Sequence, residues 1–241
     1  MKPPLAKDPV FLLDYDGTLA EIAPRPELAR PYPGVPELLK ALSKRYPLYL
    51  VTGRRVSDLE ALLGPLGIPV FGVHGAEEGV LGGPVRARFG EAEQEALKAL
   101  RERIPEVPGL WLEDKGSALA LHYRGAPDEE AVLRALKPFL ESLPEGLEAL
   151  FGKKVVEIKP KGATKGAVAR AVAARHPGRT PVAIGDDATD EQMFLALPDG
   201  ITIKVGPGES AARYRLSGPA EVVAYLKQYL ERDEDEHPEA D

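Results

Sequence analysis

Two aspartates with the spacing of a catalytic pair, Asp14 and Asp16, stand one residue apart where the apolar run VFLLD ends. Gly17 and Thr18 follow them, and a simple turn after a strand accounts for many such pairs, because Asp and Gly are common turn formers. The same pair also suits phosphoryl transfer. Asp14 could attack phosphorus and form an aspartyl-phosphate, which splits one difficult step into two. Asp16 could protonate the departing alcohol and then deprotonate a water molecule.

Three further polar fragments could share this chemistry: TGR at 52–54, KGATKG at 161–166 and GDDATDE at 185–191. Each alone fits a loop or a turn. DYDGT, TGR and GDDATDE all follow apolar strand-like runs, however, and KGATKG opens a helical pattern. Ligands bind outside the carboxyl ends of the strands in an open parallel sheet. Together the four fragments therefore predict one functional site.

The predicted site contains both phosphate donors and metal-binding oxygens. Three groups could hold phosphoryl oxygens, namely the Thr52 hydroxyl, the Gly53 amide and the Lys165 ammonium. Three carboxylates and a backbone carbonyl could form the hard oxygen site that Mg²⁺ prefers; the carboxylates are those of Asp14, Asp16 and Asp186. A bound Mg²⁺ would screen the repulsion between a phosphate and the attacking carboxylate.

The pattern around these fragments predicts the sheet that would position them. Short apolar runs alternate with segments of helical spacing, which indicates an α/β fold with a largely parallel sheet. The predicted strands are Val10–Asp14, Leu48–Gly53, Pro69–Gly75 and Pro181–Asp187. The predicted helices are Val35–Tyr46, Val56–Gly64 and Thr164–His176, the last with Thr164 as its N-cap.

The middle of the chain departs from this alternation. Amphipathic helices are predicted at Glu91–Arg103 and Asp128–Leu143, and strands at LWLED, SALALHYR and KKVVEIKP. Strands and helices grouped in this way indicate an α+β insert. We therefore expect a split core, residues 1–80 and 160–241, that holds a smaller domain at 81–159.

Composition excludes several other classes of protein. Hydrophobic residues make up 44% of the chain and charged residues 29%, as in globular proteins, and no apolar run reaches the roughly 20 residues of a membrane span. A formal net charge of −7 without a block of Lys and Arg argues against nucleic acid. The chain has no cysteine, which excludes disulfides and a cysteine nucleophile. We expect a cytoplasmic monomer with no nucleic-acid or membrane partner, and a solvated, frayed acidic tail, ERDEDEHPEAD.

The motifs DYDGT, TGR, KG and GDDATD resemble, in this order, the signature of the haloacid dehalogenase superfamily of Mg²⁺-dependent phosphatases. The resemblance implies a Rossmann-like α/β core with a parallel sheet and an inserted, smaller α+β cap domain that selects the substrate. It implies that Asp14 is the nucleophile, that Asp16 is the acid and base, and that Thr52 and Lys165 hold the phosphate. The metal ligands that it implies are Asp14, Asp16, Asp186 and Asp187, and Asp190 is a further candidate to ligate or orient the metal.

A closer resemblance, to the trehalose-phosphatase family, covers nearly the whole chain. It is carried by FGVHGAE, LEDKGSALALHYR, GKKVVEIKPKGATKG and GDDATDEQMF. The resemblance implies Mg²⁺-dependent hydrolysis of trehalose 6-phosphate, a small sugar phosphate. The approach to VVEI departs from the family pattern, because FGKK stands where an arginine-containing loop is usual.

A disaccharide presents many hydroxyl groups, so its pocket needs carboxylates and cations held on rigid strands. Glu157, on the VVEIKP strand, is the acceptor that we favour. The other candidates for substrate contacts are Gly53, Arg54, His74 and Glu77 in the core and Lys115, His122, Arg124 and Lys153 in the insert. Lys115 and Lys153 could equally be surface charges, and His122 could simply pack in the sheet. Trp111 is predicted to pack rather than to stack on a sugar.

Other functions fit parts of the pattern. Related phosphatases with the same type of insert act on mannosyl-3-phosphoglycerate or sucrose phosphate, and a phosphomutase would have to retain and return the phosphoryl group. An inactive relative that only binds is a further alternative. The catalytic positions that such a relative would lose are all present: Asp14, Asp16, Thr52, Lys165 and Asp186. No G-x-x-x-x-G-K-[ST] string occurs, which excludes a P-loop nucleotide binder.

Overall fold

The computed structural model describes residues 1–236, and the chain divides into two compact units. The core unit combines Met1–Val85 with the described chain from Thr164 onward. The inserted unit is Arg86–Ala163, where the sequence predicts an insert at 81–159. The roles predicted for the two domains, catalysis and substrate selection, stay predictions.

The secondary structure alternates along the core unit and is interrupted by the inserted unit. The strands, in chain order, are β1 (Pro9–Leu13), β2 (Leu48–Val51), β3 (Pro69–Gly72), β4 (Glu77–Val80), β5 (Val85–Ala87), β6 (Trp111–Asp114), β7 (Leu119–His122), β8 (Leu147–Gly152), β9 (Val155–Pro160), β10 (Thr180–Gly185), β11 (Ile201–Val205) and β12 (Tyr214–Leu216). The helices are α1 (Val35–Arg45), α2 (Val56–Leu63), α3 (Glu91–Arg101), α4 (Glu129–Glu141), α5 (Lys165–Arg175), α6 (Ala188–Ala196) and α7 (Pro219–Glu236).

The core unit is built on a sheet of order β12-β11-β10-β1-β2-β3-β4-β5. The strands from β12 to β3 are parallel, and β4 is antiparallel to β3. Both faces are covered, as is usual for parallel strands, and all of β1 is buried. Phe11 and Leu13 belong to an apolar cluster with residues of α1 and α7, whereas Val10 and Leu12 belong to one with residues of α5 and α6. The predicted α/β fold with a mostly parallel sheet is confirmed.

The sheet order brings the ends of three strands together. β1 lies between β2 and β10, with Leu13 paired to Leu50 on one side and to Ile184 on the other. Because these strands are parallel and in register, the polar segments after them emerge at one edge of the sheet. This edge is where DYDGT, TGR and GDDATDE lie.

The inserted unit has its own antiparallel sheet, of order β6-β7-β9-β8. Helices α3 and α4 contribute leucines and other apolar residues to a cluster with one face of this sheet, which includes Leu121, Val156 and Ile158. The residues that alternate with this apolar set along the strands lie on the other face of the sheet. Among them, Glu113 on β6 and Glu157 on β9 are both paired with Ala120 of β7, one on each side. We call this other face the polar face of the inserted sheet.

Three predictions differ from the structure. The strand predicted at Pro69–Gly75 ends at Gly72, and Val73–Gly75 form a short 3₁₀ helix in which Val73 and His74 have φ of 48° and 58°. LEALFG was not predicted as a strand, because Leu, Glu and Ala favour helices, but it is β8 and pairs along its length with β9. The prediction that the acidic tail is frayed is wrong for its part up to Glu236, because α7 continues to that residue. Residues 237–241 lie outside the described chain.

A second short 3₁₀ helix lies at Pro26–Leu28. Within residues 1–236, no helix is both long and apolar enough to cross a bilayer.

Candidate active site

Asp14 is the residue that follows β1, and its carboxylate is buried. Its N–H donates to the Ile184 carbonyl at 3.0 Å. Its Oδ1 accepts a hydrogen bond from Nζ of Lys165 at 3.1 Å, and its Oδ2 accepts one from the Thr18 hydroxyl at 3.3 Å. Burial raises the pKa of Asp14 well above its ordinary value, the nearby Asp190 adds to this, and Lys165 opposes it. The carboxylate is therefore fixed in a buried site with Lys165 as its counter-charge.

Lys165 is the first residue of α5, and Thr164 caps that helix as predicted, by accepting from the Ala167 N–H at 3.1 Å. The Lys165 ammonium is buried and also donates to Oδ1 of Asp190 at 2.7 Å. Burial by itself would lower the pKa of Lys165, but the carboxylates of Asp14 and Asp190 raise it, and the net shift is upward. Lys165 thus stays charged and joins two carboxylates from different segments.

Asp190 organises the turn between β10 and α6. Its side chain is fully buried, and its Oδ2 accepts from the N–H groups of Asp186 and Asp187, each at 3.0 Å. The second of these bonds belongs to a capping box at the start of α6. On the far side of Asp186, its carbonyl accepts a hydrogen bond from the ammonium of Lys204 on β11. The backbone of Asp186 is therefore held from both sides.

The carboxylates of Asp14, Asp186 and Asp190 form a cluster in which one oxygen of each lies within 4.8 Å of the others. Burial raises the pKa of Asp186 as well, and the neighbouring charges of Asp190 and Asp187 add to this, so the cluster is electrostatically crowded. Gly17 makes room for it: a Cβ there would lie 2.0 Å from Oδ2 of Asp186, and the Gly17 φ of +74° disfavours other residues. Such a set of oxygens suits a hard divalent cation.

Asp16 makes a different contact from the other aspartates. Arg54 donates from Nε to Oδ2 of Asp16 at 2.7 Å and from Nη2 to Oδ1 at 2.6 Å, and Nη2 also donates to the Pro26 carbonyl at 3.0 Å. The side chain of Asp16 is 39% exposed. A two-pronged pair of this kind fixes the plane of the carboxylate. The structure therefore brings the predicted acid and base to Arg54, away from the carboxylate cluster.

The predicted phosphate holders from the second motif lie directly after β2. Thr52 is buried, and its hydroxyl accepts from the Arg54 N–H at 3.0 Å. Gly53 lies against the ring of His74, since a Cβ on Gly53 would be 2.7 Å from Cε1 of that ring. Glu77 is buried, and its Oε1 accepts from the Val56 N–H, at the start of α2, at 2.5 Å. His74 and Glu77 thus shape the core around this motif, and their contacts with a substrate stay predictions.

An ion pair and a histidine–carboxylate hydrogen bond lie on the polar face of the inserted sheet. Lys115 donates to Oε1 of Glu157 at 2.8 Å, with both side chains largely buried. Nε2 of His122 lies 2.9 Å from Oε1 of Glu113, and this hydrogen bond lowers the pKa of Glu113. The ring of His122 is stacked against that of Trp111. Trp111 therefore packs, as predicted, through one face of its ring, but the residue remains 54% exposed.

The other cations predicted for the insert, Arg124 and Lys153, are exposed and lie in the turns after β7 and β8. Their contacts with a sugar stay predictions.

Comparison with known proteins assigns these features to a family. A family model described as trehalose-phosphatase matches residues 12–219. The chain belongs to the trehalose-phosphatase family. It is 36% identical over 233 residues to the trehalose-6-phosphate phosphatase of Escherichia coli K12, which covers 93% of this chain and 88% of that protein. It is 39% identical over 205 residues to a probable trehalose-phosphate phosphatase of Sinorhizobium fredii, covering 82% and 77% respectively.

Solved structures support the same family and fold. The crystal structure of a trehalose-6-phosphate phosphatase related protein matches with a TM-score of 0.75 at 28% identity, covering 94% of this chain and 99% of that one. A phosphatase of the haloalkanoate enzyme superfamily from Bacteroides thetaiotaomicron, at 19% identity, has the same fold with a TM-score of 0.65 over 92% and 95% of the two chains. The resemblance to the trehalose-phosphatase family is confirmed, and this family member is a phosphoric monoester hydrolase.

Of the four metal ligands predicted for this family member, the structure brings Asp14 and Asp186 together. The side chain of Asp16 is engaged by Arg54, and Asp187 is exposed at the N-cap of α6, outside the cluster. Asp190 takes the third place in the cluster, and the ligand roles of all five residues stay predictions.

Two further charged residues that contact the predicted site residues were missed by sequence reasoning. Glu113 shares the polar face with Glu157, and strand alternation in LWLED could have indicated it. Lys204 is the one charged residue in the apolar run ITIKV, and it lies beside the end of β10 through its register with Gly185. A lysine in a fully buried parallel strand is a signal that a charged site lies at that strand's end.

Proposed function

We propose that this chain is a phosphatase that hydrolyses trehalose 6-phosphate to trehalose and inorganic phosphate. The observation that carries the proposal is the Asp14 carboxylate, buried against Lys165 and beside Asp186, in a member of the trehalose-phosphatase family. Burial and a single counter-charge give this aspartate the setting of a nucleophile rather than that of a turn former.

In the first step, a carboxylate oxygen of Asp14 attacks phosphorus. The new bond joins that oxygen to phosphorus, and the bond from phosphorus to the sugar oxygen breaks, its electron pair leaving with the sugar. Lys165 lies within hydrogen-bond distance of Asp14, so its ammonium can also contact the transferred phosphoryl group. The Thr52 hydroxyl and the Gly53 amide, at the end of the neighbouring strand, are the further donors proposed for phosphoryl oxygens.

Asp16 moves the protons. It donates one to the departing sugar oxygen, and then accepts one from the water molecule that attacks the aspartyl-phosphate and regenerates Asp14. In the structure both oxygens of the Asp16 carboxylate accept from Arg54, which favours the ionised form, so Asp16 has to release at least one of these hydrogen bonds before it carries a proton. This assigns Arg54 to the positioning of Asp16, in addition to the substrate contact predicted from the sequence.

The oxygen donors fit Mg²⁺. Asp190 already accepts from Lys165 and from two backbone N–H groups, so we propose the carboxylates of Asp14 and Asp186 and the Asp16 carbonyl as the direct ligands. When bound there, Mg²⁺ supplies positive charge that offsets the repulsion between a phosphate and the carboxylates. Asp190 acts on this site by positioning Lys165 and the backbone of Asp186.

The inserted unit supplies sugar recognition in this proposal. The Lys115–Glu157 pair offers donors and acceptors at fixed positions on a sheet, which is what a ring of hydroxyl groups requires. Glu113, held by His122, adds a second ionised acceptor.

The experiment that tests the activity is phosphate release from a panel of esters in the presence of Mg²⁺. The panel is trehalose 6-phosphate, sucrose 6-phosphate, mannosyl-3-phosphoglycerate, glucose 6-phosphate and a small aryl phosphate. We expect the highest kcat/KM for trehalose 6-phosphate. A higher value for sucrose 6-phosphate or mannosyl-3-phosphoglycerate would refute the assignment of substrate while leaving the phosphatase chemistry in place.

A pair of variants separates recognition from chemistry. Glu157→Ala removes a charged acceptor worth roughly 1.5–3 kcal/mol, or about ten- to a hundredfold in kcat/KM for trehalose 6-phosphate, and should leave hydrolysis of the aryl phosphate nearly unchanged. Lys165→Ala should impair both substrates alike. Glu130→Ala, at an exposed glutamate on α4, is the matched control. Equal losses on the two substrates for Glu157→Ala would remove Glu157 from sugar recognition.

A further inference from the structure

Trp111 is the single tryptophan of the chain and lies at the start of β6, on the polar face of the inserted sheet. Its indole ring is parallel to the imidazole of His122, with ring centroids 4.0 Å apart and an interplanar angle of 11°. The residue is nevertheless 54% exposed. One face of the indole is thus supported by a neighbouring ring, and the residue presents a large apolar surface to solvent.

Ordinary core packing does not account for this position. The apolar core of the inserted unit is on the opposite face of the sheet, around Leu121 and Val156, and Trp111 is outside that cluster. A large exposed apolar side chain is more informative than a buried one, because burial is the default for its type. Trp111 is also held in place, since His122 beneath it is itself fixed by Glu113 at 2.9 Å. A rigid, exposed aromatic ring is typical of a binding surface.

The groups beside Trp111 identify the chemistry of its ligand. Glu113, two residues along β6, lies about 7 Å from Trp111 on the same face, the length of two residues in a strand. Glu157 lies on the same row as Glu113, across Ala120, and carries Lys115 as its partner. A pyranose ring has a flat face of C–H groups and a rim of hydroxyls. The ring face fits an indole, and the rim fits two carboxylates and an ammonium at these spacings.

We infer that Trp111, supported by His122, is a stacking platform for one glucopyranose ring of the substrate, and that it contributes to the preference for a sugar phosphate over the aryl phosphate. The inference rests on the proposed function and adds to it a residue that contacts the sugar by its apolar face. The Lys115–Glu157 pair and Glu113 recognise hydroxyl positions, whereas the indole recognises the presence of a pyranose ring. Together they distinguish a sugar phosphate from a phosphate ester without a ring of this kind.

The presence of one tryptophan makes the inference directly measurable, because all indole emission comes from Trp111. Trehalose, which is the product and carries no phosphate, is titrated into the wild-type protein while the intensity and position of the emission are followed. Quenching of the emission by acrylamide is measured with and without trehalose. We expect trehalose to change the emission saturably and to protect the indole from acrylamide, at the concentrations at which trehalose inhibits turnover. An unchanged emission at inhibiting concentrations would overturn the inference.

Kinetics of two variants provide a second measurement. Trp111→Ala should raise KM for trehalose 6-phosphate about tenfold, the loss of one stacking contact, and should leave the aryl phosphate unaffected. Trp111→Phe should recover most of the difference, since it restores an aromatic face. Phe151→Ala, at another exposed aromatic of the inserted unit, is the matched control and should not change KM. An unchanged KM in Trp111→Ala would contradict the inference.

The outcomes separate this inference from the function on which it rests. If the wild-type protein does not prefer trehalose 6-phosphate within the panel of esters, the proposed function fails. If the wild type shows that preference and Trp111→Ala retains the wild-type KM for trehalose 6-phosphate, the function stands and only the role of Trp111 is refuted.

Discussion

Removal of the Asp190 side chain should destabilise the core unit more than removal of any neighbouring aspartate. Asp190 is fully buried and accepts from Lys165 at 2.7 Å and from the N–H groups of Asp186 and Asp187 at 3.0 Å. Asp190→Ala leaves one hydrogen bond to a buried ammonium unmade, worth roughly 1.5–3 kcal/mol, and an unsatisfied N–H at Asp186, worth roughly 1–3 kcal/mol. The N–H of Asp187, at an exposed helix start, can bind water instead.

Two compensations reduce the expected loss. Lys165 keeps its hydrogen bond to Asp14, and removal of the Asp190 charge relieves repulsion with Asp14 and Asp186, whose pKa values it helps to raise. We therefore expect Asp190→Ala to lower the free energy of unfolding by about 2–5 kcal/mol, which corresponds to roughly 5–20 °C in Tm for a chain of this size.

Asp190→Asn divides this loss between its two sources. The amide oxygen can still accept from the backbone N–H groups, but the amide nitrogen would face the Lys165 ammonium. This variant therefore loses the ion pair with Lys165 and keeps the hydrogen bonds to the backbone. We expect an intermediate loss, roughly 1–3 kcal/mol. Asp187→Ala, at the exposed N-cap of α6, is the control and should cost about 1 kcal/mol.

The assay is unfolding by heat and by urea, with a chelator present so that bound metal does not add to the stability of any variant. Refolding is checked in each case. An Asp190→Ala protein within about 0.5 kcal/mol of wild type, which is the ordinary effect of a surface substitution, would refute the network described around Lys165.

Three shorter predictions concern the catalytic edge of the sheet. Asp14→Asn should remain folded and lose turnover, because a neutral amide is no nucleophile; near-normal phosphate release would exclude the covalent mechanism. Chelation should abolish activity and Mg²⁺ should restore it, with Ca²⁺ a poor substitute because its ligands lie at longer distances; full activity in chelator, measured after dialysis, would exclude the metal site. Gly17→Ala should lose activity and require more Mg²⁺, because its Cβ would displace the Asp186 carboxylate. Gly34→Ala is the control, since Gly34 also has a positive φ (+86°) but has open space around it, and this variant should lose only the roughly 1–2 kcal/mol of stability that backbone strain costs. Similar Mg²⁺ requirements in the two glycine variants would contradict the close approach of Asp186.

The fold and the common edge at which three of the motifs lie were predictable because the relevant signals are local. An apolar run that ends in a polar motif indicates a strand end, and parallel strands bring their ends to one edge. Asp14, Thr52 and Asp186 were placed together on this reasoning alone. The Thr164 cap was predictable for the same reason, since it depends on residues within one helical turn.

The partners of these residues were not predictable, because they depend on distances between segments far apart in the chain. Which aspartate meets Lys165 and which meets Arg54 is decided by side-chain directions at four different loops. The ion pair of Arg54 with Asp16 spans 38 residues, and that of Lys165 with Asp190 crosses between two helices. The strand at LEALFG was missed for the opposite reason. Its local propensity is helical, and pairing with β9 overrides that propensity.

The position of β1 in the middle of the core sheet has a consequence for the order in which this protein can fold. One neighbour of β1, the strand β2, is synthesised soon after it, but the other, β10, follows the whole inserted unit. Until β10 emerges, β1 is an open edge with unpaired N–H and C=O groups, which is the situation in which strands associate with the wrong partner. The segment before β1 gains its partners later than β1 does, because they lie on α7. The Ala6 N–H donates to the Tyr229 hydroxyl at 3.0 Å, and Nη1 of Arg232 donates to the Ala6 carbonyl at 2.7 Å. Asp14 and Lys165 are 151 residues apart, so Asp14 gains its counter-charge only after the whole inserted unit has been synthesised.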